Sequence, residues 1–391
     1  MIPFEKALRT ALDSAQLLDT EPVALQDSLG RILGEDISSD IDMPPFDKSA
    51  MDGYACRRKD LETPLEVLET IAAGQKPART LGKNQCSKIM TGAPVPQGAD
   101  CVIMVEHTRL DASGRVLFTA EETNTNICYQ GEDVRRDQVV LKRFLRIQPQ
   151  HIAILATVGK ARFLVSRRPR VGIIATGDEL VEPTQTPPPF SIRNSNSYQL
   201  YGQVLAAGSL PTYYGIAKDS AEEIDGRLRR ALQENDVVLL SGGVSMGDFD
   251  LTPAIMARNG IDMKFDAIAI KPGKPTHFGL AERSYCFGLP GNPVSSFLQF
   301  EILVKPFLYK LMGHDLRALR SQAVMAEDLA IKPCDRETWI PVRMTPGHGT
   351  APLNYHGSAH IHALDHAEGF IVVPVGSPGF ARGTPVDVRC L

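Results

Sequence analysis

The sequence lacks any long hydrophobic run. No apolar stretch approaches the roughly 18–20 residues that a membrane-spanning helix requires, so no membrane partner is expected. It also lacks an excess of either charge, because 42 basic and 46 acidic residues leave a net charge of -4. That balance gives no support for extensive nucleic-acid binding.

Cysteine pairs are missing as well. The seven cysteines are scattered and include no C-x-x-C pair, a pattern typical of a reducing compartment without a thiolate metal site. The first residues, MIPFEKALRT, carry charges where a secretory signal would be apolar. Together these features predict a cytoplasmic protein.

At 391 residues the chain is long enough for two to four domains. Between residues 169 and 311, buried strand patterns alternate with helical ones, as expected for a mostly parallel sheet covered by helices. One of these helices is predicted to follow Asn194 and to bury Tyr201, Val204 and Leu205. Before and after this region, short apolar runs separated by Gly and Pro predict β-rich domains, with the C-terminal one beginning after Gly313.

Within the alternating region, three apolar runs each end in a glycine-rich polar loop. The runs cover residues 237–240, 268–270 and 285–287. Ligands in open α/β sheets bind beyond the carboxyl ends of the strands. The three loops are therefore predicted to form one binding site at consecutive strand ends.

The first loop has the composition of a phosphate site. Backbone N–H groups around Gly242 and Gly243, with the hydroxyls of Ser241 and Ser245, would form an anion nest. A tight turn that needs glycine is the alternative explanation. Acidic residues beside a bound phosphate would repel it unless a cation lies between them. Mg²⁺ is a suitable cation because it prefers oxygen ligands. The candidate Mg²⁺ ligands, which each follow a predicted strand, are Glu179, Asp219 and Asp250. Each of these residues could instead be a helix cap or a solvated charge.

The second loop, KPGKP, presents Lys271 and Lys274 on a turn made rigid by two prolines. Two ammonium groups held close together repel each other unless an oxyanion neutralises them, although two solvated surface lysines are the alternative. The third loop begins a helix near Ser295, whose N-terminal dipole also favours an anion. The loops therefore predict a phosphorylated ligand beside a separate oxyanion.

Four histidines near the C-terminus have spacings found in some metal sites. No predicted helix or strand places them on one face, so surface histidines are the favoured interpretation. These residues are His356, His360, His362 and His366. The serine-rich loops also lack a partnered base, so no Ser-His-Asp arrangement is predicted.

Seven motifs together resemble the molybdopterin molybdotransferase family, the molybdenum insertases, which includes the E domain of gephyrin. The resemblance covers essentially the whole chain and depends on the ordered set of motifs. The motifs are PPFDKSAMDGYA (44–55), MTGAPVPQGAD (90–100), ATGDEL (175–180), NSNSYQL (194–200), SGGVSMG (241–247), KPGKP (271–275) and LPGNPVSS (289–296).

The resemblance implies an α/β multidomain fold and an elongated homodimer. Its central molybdopterin-binding α/β domain has a mostly parallel sheet, beside a β-rich insertion domain and a small C-terminal β-barrel-like domain. The implied domains are residues 1–40 with 133–165, then 41–132, 166–313 and 314–391.

The resemblance also implies an activity. The enzyme would cleave adenylylated molybdopterin with Mg²⁺ and insert molybdenum from molybdate into the dithiolene, and the upstream molybdopterin adenylyltransferase is a candidate partner. The implied functional residues are Asp52, Thr91, Glu179, Asp219, Asp250, Lys271, Lys274 and Ser358, with Asp52 and Thr91 acting from the partner subunit. Ser241, Gly242, Gly243, Ser245 and Ser295 would bind substrate.

The sequence departs from the family pattern at two positions. Cys128 and Ala267 stand where many members carry a basic residue, and Arg136 and Lys264 are candidate replacements. The loss of charge favours an alternative function, a weakened gephyrin-like scaffold dimer that binds a partner protein. A nucleotide pyrophosphatase built on the same α/β domain is a third possibility, but it leaves the two N-terminal motifs unexplained.

Overall fold

The structure is a computed structural model that describes residues 1–243 and 251–391. The described chain divides into two compact units. One unit contains Met1–Glu21, Gly30–Gly34 and Leu164–Leu391, and the other contains Pro22–Leu29 and Glu35–Phe163. Within the described ranges, no helix combines the length and the apolar character needed to cross a membrane.

The N-terminal part of the chain is mainly β-structure. Its helices are α1 (Phe4–Ser14) and α2 (Pro149–Thr157), with 3₁₀ turns at Leu25–Asp27, Arg58–Asp60 and Val105–His107. Its strands are β1 (Thr20–Ala24), β2 (Ile37–Ser38), β3 (Lys48–Ser49), β4 (Gly53–Cys56), β5 (Glu66–Ile71), β6 (Gln85–Ile89), β7 (Cys101–Met104), β8 (Thr108–Leu110), β9 (Val116–Phe118), β10 (Ile127–Cys128), β11 (Val139–Leu141) and β12 (Arg162–Ser166).

The central part alternates strands and helices, as predicted. Its strands are β13 (Arg170–Thr176), β14 (Leu180–Val181), β15 (Ile192–Arg193), β16 (Leu210–Ala217), β17 (Val237–Ser241), β18 (Asp262–Phe265), β19 (Ile270–Lys271), β20 (His277–Leu280) and β21 (Tyr285–Leu289). Its helices are α3 (Asn196–Ala206), α4 (Ala221–Glu234), α5 (Thr252–Arg258), α6 (Pro293–Gln299) and α7 (Lys305–Leu311), and a π-helical turn, Phe300–Val304, joins the last two.

The C-terminal part again consists of strands. They are β22 (Arg320–Met325), β23 (Leu329–Ala330), β24 (Glu337–Thr345), β25 (Gly349–Pro352), β26 (Gly369–Val373), β27 (Gly379–Phe380) and β28 (Pro385–Cys390), with a 3₁₀ turn at Ile361–Leu364.

The central sheet is mostly parallel, which confirms the predicted α/β class. Its strand order is β16-β13-β17-β21-β20-β18. The first four strands are parallel, and their carboxyl ends meet at one edge because Thr176 pairs with Ala217, and Ser241 pairs with both Ala175 and Leu289. Strand β20 is antiparallel to β21, with His277 opposite Gly288, so the loop that precedes β20 reaches the same edge.

Helices cover this sheet through regularly spaced apolar residues. In α4, Ile224, Leu228 and Ala231 are buried, and the Ser220 hydroxyl caps the helix by accepting a hydrogen bond from the Glu223 N–H at 3.3 Å. The apolar face predicted for α3 is partly wrong. Leu200 and Val204 are its buried apolar residues, whereas Tyr201 and Leu205 are 40% and 52% exposed.

The C-terminal strands close into a five-stranded barrel, in agreement with the predicted barrel-like domain. Strands β24, β25, β22, β28 and β26 are neighbours in that order, and β26 also pairs with β24. Alternate residues point inward and form the core, as the two-residue period of a strand requires. That core consists of Ala323, Met325, Ile340, Val342, Ile371, Val373, Val386 and Val388.

The smaller unit contains a four-stranded sheet in the order β5-β6-β4-β7. Strand β4 is antiparallel to both β6 and β7. Its residue Cys56 lies directly opposite Cys86 on one side and Cys101 on the other, and all three are fully buried. The prediction of a β-rich segment in this part of the chain is therefore confirmed.

Candidate functional site

The first cavity lies at the carboxyl edge of the central sheet and is called the nest cavity here. It has a volume of about 890 Å³. Its walls come from the ends of β13, β16, β17 and β21, as expected for an α/β sheet. Five predicted site residues line it together: Glu179, Asp219, Ser241, Gly242 and Gly243.

The two glycines fold as the sequence predicts. Gly242 and Gly243 have φ angles of +98° and +62°, in the left-handed region. A Cβ on Gly242 would lie 2.5 Å from the Thr176 carbonyl oxygen, so the loop packs against β13. However, the Gly242 N–H donates to the Leu289 carbonyl at 3.1 Å. The chain itself therefore engages one of the N–H groups assigned to the nest.

Asn196 joins the first and third loops. Its side-chain amide donates to the Ser241 hydroxyl oxygen and to the Gly291 carbonyl, both at 2.9 Å. The Ser241 oxygen acts as an acceptor there, which leaves its own hydrogen for another partner. The strand ends are thus linked by the first residue of α3, which lines the nest cavity itself.

Two of the three predicted metal ligands share the nest cavity. Glu179 and Asp219 follow β13 and β16, and both are exposed to it. Asp219 accepts a hydrogen bond from the Asp178 N–H at 3.3 Å, and Asp178 accepts one from the Asp219 N–H at 3.2 Å. These reciprocal bonds connect the two strand ends and hold Asp219 in place.

The other acidic ligand, Asp250, lies outside the described residues, as does Ser245. Among the residues that the structure does describe, no three His, Cys, Asp or Glu side chains are grouped closely enough to hold a metal ion. The two carboxylates that share the cavity are nevertheless the type of donor that a hard dication takes. The residues present therefore fit Mg²⁺ in their chemistry.

The second cavity, called the lysine cavity here, has a volume of about 560 Å³. Four predicted site residues line it: Lys271 and Lys274, which were predicted to bind an oxyanion, and Ser295 and Ser358, which were predicted to bind substrate. Gly273, between the lysines, has φ of +108°, and its carbonyl accepts hydrogen bonds from Thr276 and Gln299. These bonds fix the turn that carries both ammonium groups.

Two further cations in this cavity were missed by the sequence analysis. Lys332 and Arg336 reach it from the C-terminal part of the chain, next to the start of β24. The only signal was a pair of basic residues before a strand pattern. Tyr355 also lines the cavity, and burial raises its pKa to about 12, so its hydroxyl stays protonated and can donate at neutral pH.

The prediction that residues 268–270 form a strand of the central sheet is wrong. Strand β19 pairs instead with β24, where Ile270 lies opposite Glu337 and Lys271 opposite Thr338. The KPGKP loop therefore connects the C-terminal part of the chain to the central sheet. The KPGKP loop still reaches the carboxyl edge of the central sheet, because β20, the next strand, is antiparallel to β21.

The two cavities adjoin, but they are not one cleft. Pro275, Pro290 and Asn292 line both of them. Asp219 faces the nest cavity and Lys271 faces the lysine cavity, so a single site at three strand ends is replaced by two neighbouring sites. The prediction of one binding site formed by the three loops is therefore wrong, and the occupation of the two cavities by a phosphorylated ligand and a separate oxyanion stays a prediction.

Asp52 and Thr91 lie in the smaller unit. The Thr91 N–H and hydroxyl both donate to Asp52 Oδ1, at 2.6 and 2.9 Å. Both bonds lower the pKa of the Asp52 carboxyl, and the backbone bond has the larger effect. The role of the pair in completing the site stays a prediction.

The candidate replacement Lys264 does not contribute to the lysine cavity, whose walls are formed by other residues. It forms an ion pair with Asp262 at 2.6 Å. The other candidate replacement, Arg136, belongs to the smaller unit, where its backbone N–H donates to the Asp42 carboxylate at 2.9 Å. Lys332 and Arg336 are the additional charges that the structure brings to the cavity.

The chain matches three sequence families in order. Residues 2–159 match the MoeA N-terminal region (domain I and II), residues 172–310 a probable molybdopterin binding domain, and residues 322–391 the MoeA C-terminal region (domain IV). These matches leave only short connecting segments uncovered.

Full-length relatives are similar as well. The chain is 36% identical to a molybdopterin molybdenumtransferase of Bacillus subtilis (strain 168), over 99% of this chain and 93% of that protein. A crystal structure of the molybdopterin biosynthesis MoeA protein from Pyrococcus horikoshii OT3 has a TM-score of 0.87 at 31% identity and covers 100% of both chains. A molybdenum cofactor biosynthesis protein from Pyrococcus furiosus, at 23% identity and a TM-score of 0.64, shares the fold.

Proposed function

This chain belongs to the molybdopterin molybdenumtransferase family, and on that premise we propose that it inserts molybdenum into molybdopterin during molybdenum cofactor biosynthesis. In the proposed reaction, adenylylated molybdopterin is cleaved to release AMP, and molybdate supplies the metal. The protein is thus a transferase whose two substrates are a phosphorylated pterin and a tetrahedral oxyanion.

The observation that carries this proposal is the contact between two cavities of different chemistry. The nest cavity offers a glycine turn, a serine hydroxyl and two carboxylates, which suit a phosphoanhydride with a bound dication. The lysine cavity offers four cationic side chains, which suit a doubly charged oxyanion. Because Pro275, Pro290 and Asn292 belong to both, the two ligands would be held next to each other.

In the nest cavity, the chain would bind and orient the phosphoanhydride. Cleavage by water gives AMP and molybdopterin, which keeps its own phosphate, and the oxygen of water stays on one of these two phosphates. Glu179 and Asp219, together with Asp250, would hold Mg²⁺, which would neutralise charge as the adenylate leaves. Ser241 would donate its hydroxyl hydrogen to a phosphate oxygen.

In the lysine cavity, Lys271 and Lys274 would hold molybdate through charge-assisted hydrogen bonds, helped by Lys332 and Arg336. Two dithiolene thiols and one molybdate then give a bis-thiolate molybdenum centre and one water, which carries both thiol hydrogens and one oxygen. No covalent bond to the protein is required. The rate would come from positioning and electrostatic stabilisation.

Four cations around the lysine cavity also argue against the weakened-scaffold alternative. That alternative drew its support from the uncharged residues Cys128 and Ala267. Lys332 and Arg336 line the lysine cavity and would provide positive charge for an oxyanion there. The charge needed for oxyanion binding is therefore present without the two basic positions.

We further propose a homodimer in the cytoplasm, with four domains divided at about residues 41, 133, 166 and 314. In this arrangement Asp52 and Thr91 of one subunit would complete the site of the other, and the upstream adenylyltransferase would hand over its product directly. The support for these points is the family membership and the unpaired state of all seven cysteines.

The test is to incubate the full-length protein with adenylylated molybdopterin, Mg²⁺ and molybdate, and to measure AMP release and active cofactor together. We expect Asp219→Ala to lose AMP release. We expect Lys271→Ala to release AMP but to form at least about tenfold less cofactor, the loss of roughly one charge-assisted hydrogen bond.

Lys264→Ala is the matched control for the lysine variant, because Lys264 pairs with Asp262 outside the cavity. It should match the wild type in both products. AMP release without cofactor from the wild type would instead support the pyrophosphatase function. The absence of both products would contradict the proposal.

A further inference from the structure

One short segment of the C-terminal part contributes to the walls of both cavities. It covers residues 357–362. Ser358 fixes it to the start of α6, because its hydroxyl oxygen accepts a hydrogen bond from the Asn292 side-chain amide at 2.9 Å. Its backbone carbonyl also accepts one from the Val294 N–H at 3.0 Å. The segment is thus held by two bonds to the third glycine loop and the helix that follows it.

From this anchor the segment runs from one cavity to the other. Gly357 and Ser358 line the lysine cavity, whereas Ala359, Ile361 and His362 line the nest cavity. His362 lies in the 3₁₀ turn Ile361–Leu364, with its carbonyl accepting a hydrogen bond from the Asp365 N–H at 3.3 Å. The fold therefore places His362 at the nest cavity.

The other three histidines of the cluster have different surroundings. The rings of His356 and His360 stack on each other, with centroids 5.1 Å apart. His366 lies 3.5 Å from Asp365 and is 82% exposed. Among the described residues that line the nest cavity, His362 is the only histidine.

The other charged residues that line this cavity indicate why an additional N–H donor from His362 would help to bind a phosphate there. The other charged side chains among its described lining residues are Glu179, Asp219 and Arg193. Two carboxylates repel a phosphate, and the Arg193 Nε already donates to the Gln185 carbonyl at 3.1 Å. An imidazole always carries at least one N–H donor and gains a positive charge on protonation.

We propose that His362 is a ligand-contacting residue that donates an imidazole N–H to a phosphate oxygen of the adenylylated substrate in the nest cavity. The inference rests on the proposed function, because it takes the phosphorylated ligand as the occupant of that cavity. It adds a polar ligand contact from the C-terminal part to a site whose other predicted contact residues come from the central part of the chain. The contact transfers no proton and breaks no bond.

The experiment is an isothermal titration of AMP into the full-length protein and its variants. We expect His362→Ala to weaken AMP binding by about tenfold, because a hydrogen bond to a charged phosphate is lost. His362→Gln should recover part of the affinity, because its amide restores an N–H donor without the charge. His366→Ala is the matched control and should bind AMP like the wild type.

Two further measurements distinguish a direct contact between His362 and AMP from a general disruption of the structure by the substitution. Molybdate binding should be unchanged in His362→Ala, since Ser358 keeps the segment attached at the lysine cavity. In a ¹⁵N-labelled protein, AMP should shift the His362 imidazole resonances and leave those of His366 in place.

Equal AMP affinity of the wild type and His362→Ala, with cofactor formation intact, would overturn this inference alone. Failure of the wild type to bind AMP and to form cofactor would overturn both the inference and the proposed function. Loss of molybdate binding together with AMP binding in His362→Ala would show that the residue is structural, which also overturns the contact.

Discussion

Thr91 donates two hydrogen bonds to one oxygen of Asp52. The backbone N–H lies 2.6 Å and the hydroxyl 2.9 Å from Asp52 Oδ1, in the loops that flank β4 and β6. Both bonds favour the ionised carboxylate, and they lower its pKa. The pair therefore presents a negative charge with a fixed orientation on an exposed surface of the smaller unit.

Replacing Thr91 with valine should raise the pKa of Asp52 toward the ordinary range while leaving it below that range. The variant loses the hydroxyl bond but keeps the backbone bond. Because the folded-state pKa is depressed, this interaction stabilises the fold above the unfolded-state pKa and is lost as the pH falls through the folded one. The stabilising contribution present above the unfolded-state pKa should shrink in the variant.

Carboxyl ¹³C NMR titration of Asp52 would measure this shift. Thr108→Val is a suitable control, because that hydroxyl donates to the Val105 carbonyl and touches no carboxylate. An Asp52 pKa identical in the wild type and in Thr91→Val would show that the hydroxyl bond does not form in solution.

Gly242→Ala should distort the first loop and reduce AMP binding. Its φ of +98° is strained for alanine, and the new Cβ would meet the Thr176 carbonyl oxygen at 2.5 Å. A cost of about 1–3 kcal/mol in the free energy of unfolding is expected for such strain. Chemical denaturation and AMP titration on the same samples would measure both effects.

Gly291→Ala provides the comparison within the same cavity. The nearest atom to a Cβ there is the Gly242 Cα at 3.6 Å, an ordinary contact, so near wild-type stability is expected. If both variants lost the same stability, the left-handed geometry of Gly242 would not be the cause.

Asp236→Asn should destabilise the larger unit. Arg167 binds both carboxylate oxygens of Asp236, at 2.8 and 3.0 Å, and the Arg170 N–H donates to one of them at 2.7 Å. The side chain of Asp236 is only 13% exposed. We expect a loss of roughly 2–4 kcal/mol in the free energy of unfolding, somewhat below the cost of breaking a fully buried pair.

The effect should also depend on pH. Burial raises the pKa of Asp236, but the bonds from Arg167 and Arg170 outweigh it, so the net pKa is lowered. The pair therefore stabilises the fold above the unfolded-state pKa, and its contribution is lost as the pH falls through the folded-state pKa. Urea unfolding at several pH values should show the wild type and Asp236→Asn converging in acid.

The exposed pair of Lys264 and Asp262 is the control for this measurement. Asp262→Asn should cost less than about 1 kcal/mol, as is usual for surface ion pairs. A similar loss in both variants would mean that burial of Asp236 adds nothing to the strength of its ion pair.

Thiol reactivity should divide the cysteines into two groups. Cys56, Cys86, Cys101 and Cys286 are buried, and burial raises the pKa of Cys86 and Cys286 to about 12, which keeps their thiols protonated and unreactive. The other three cysteines are half-buried. Ellman's reagent should therefore label three thiols in the native protein and seven after unfolding.

Among the three accessible thiols, Cys334 should react first. A hydrogen bond with the Thr338 side chain lowers its pKa, with further help from the positive charges of Lys271 and Arg336. Cys128 should react more slowly, because desolvation raises its pKa. Cys334→Ser should remove the fast phase, and a fast phase that persists in this variant would contradict the assignment.

The central sheet was predictable because its inner strands are buried and its helices are amphipathic. Residues 171–175 and 237–240 are apolar, and a glycine follows each run two residues later. The loops after them carry Gly, Ser and acidic residues that no buried strand would hold. The same reasoning failed for residues 268–270. A short apolar run shows that a segment is buried, but not which sheet it joins.

The α3 helix illustrates a second limit. Its helical period was correct, but Tyr201 and Leu205 are exposed and Leu200 is buried. The helix carries apolar residues on more than one of its faces, so the sequence pattern alone could not decide which face packs on the sheet. The position of the neighbouring strand decided it.

By itself, the amino-acid sequence determined the elements and the chemistry of their ends. The glycine turn, the paired lysines and the acidic strand ends are local features that depend on backbone conformation and residue type. Only the tertiary structure decided that they form two adjoining cavities, and that Lys332, Arg336 and His362 line them. Those contacts join residues far apart in the chain, and they exist because the C-terminal part contacts the third loop and helix α6 of the central part, which no local pattern encodes.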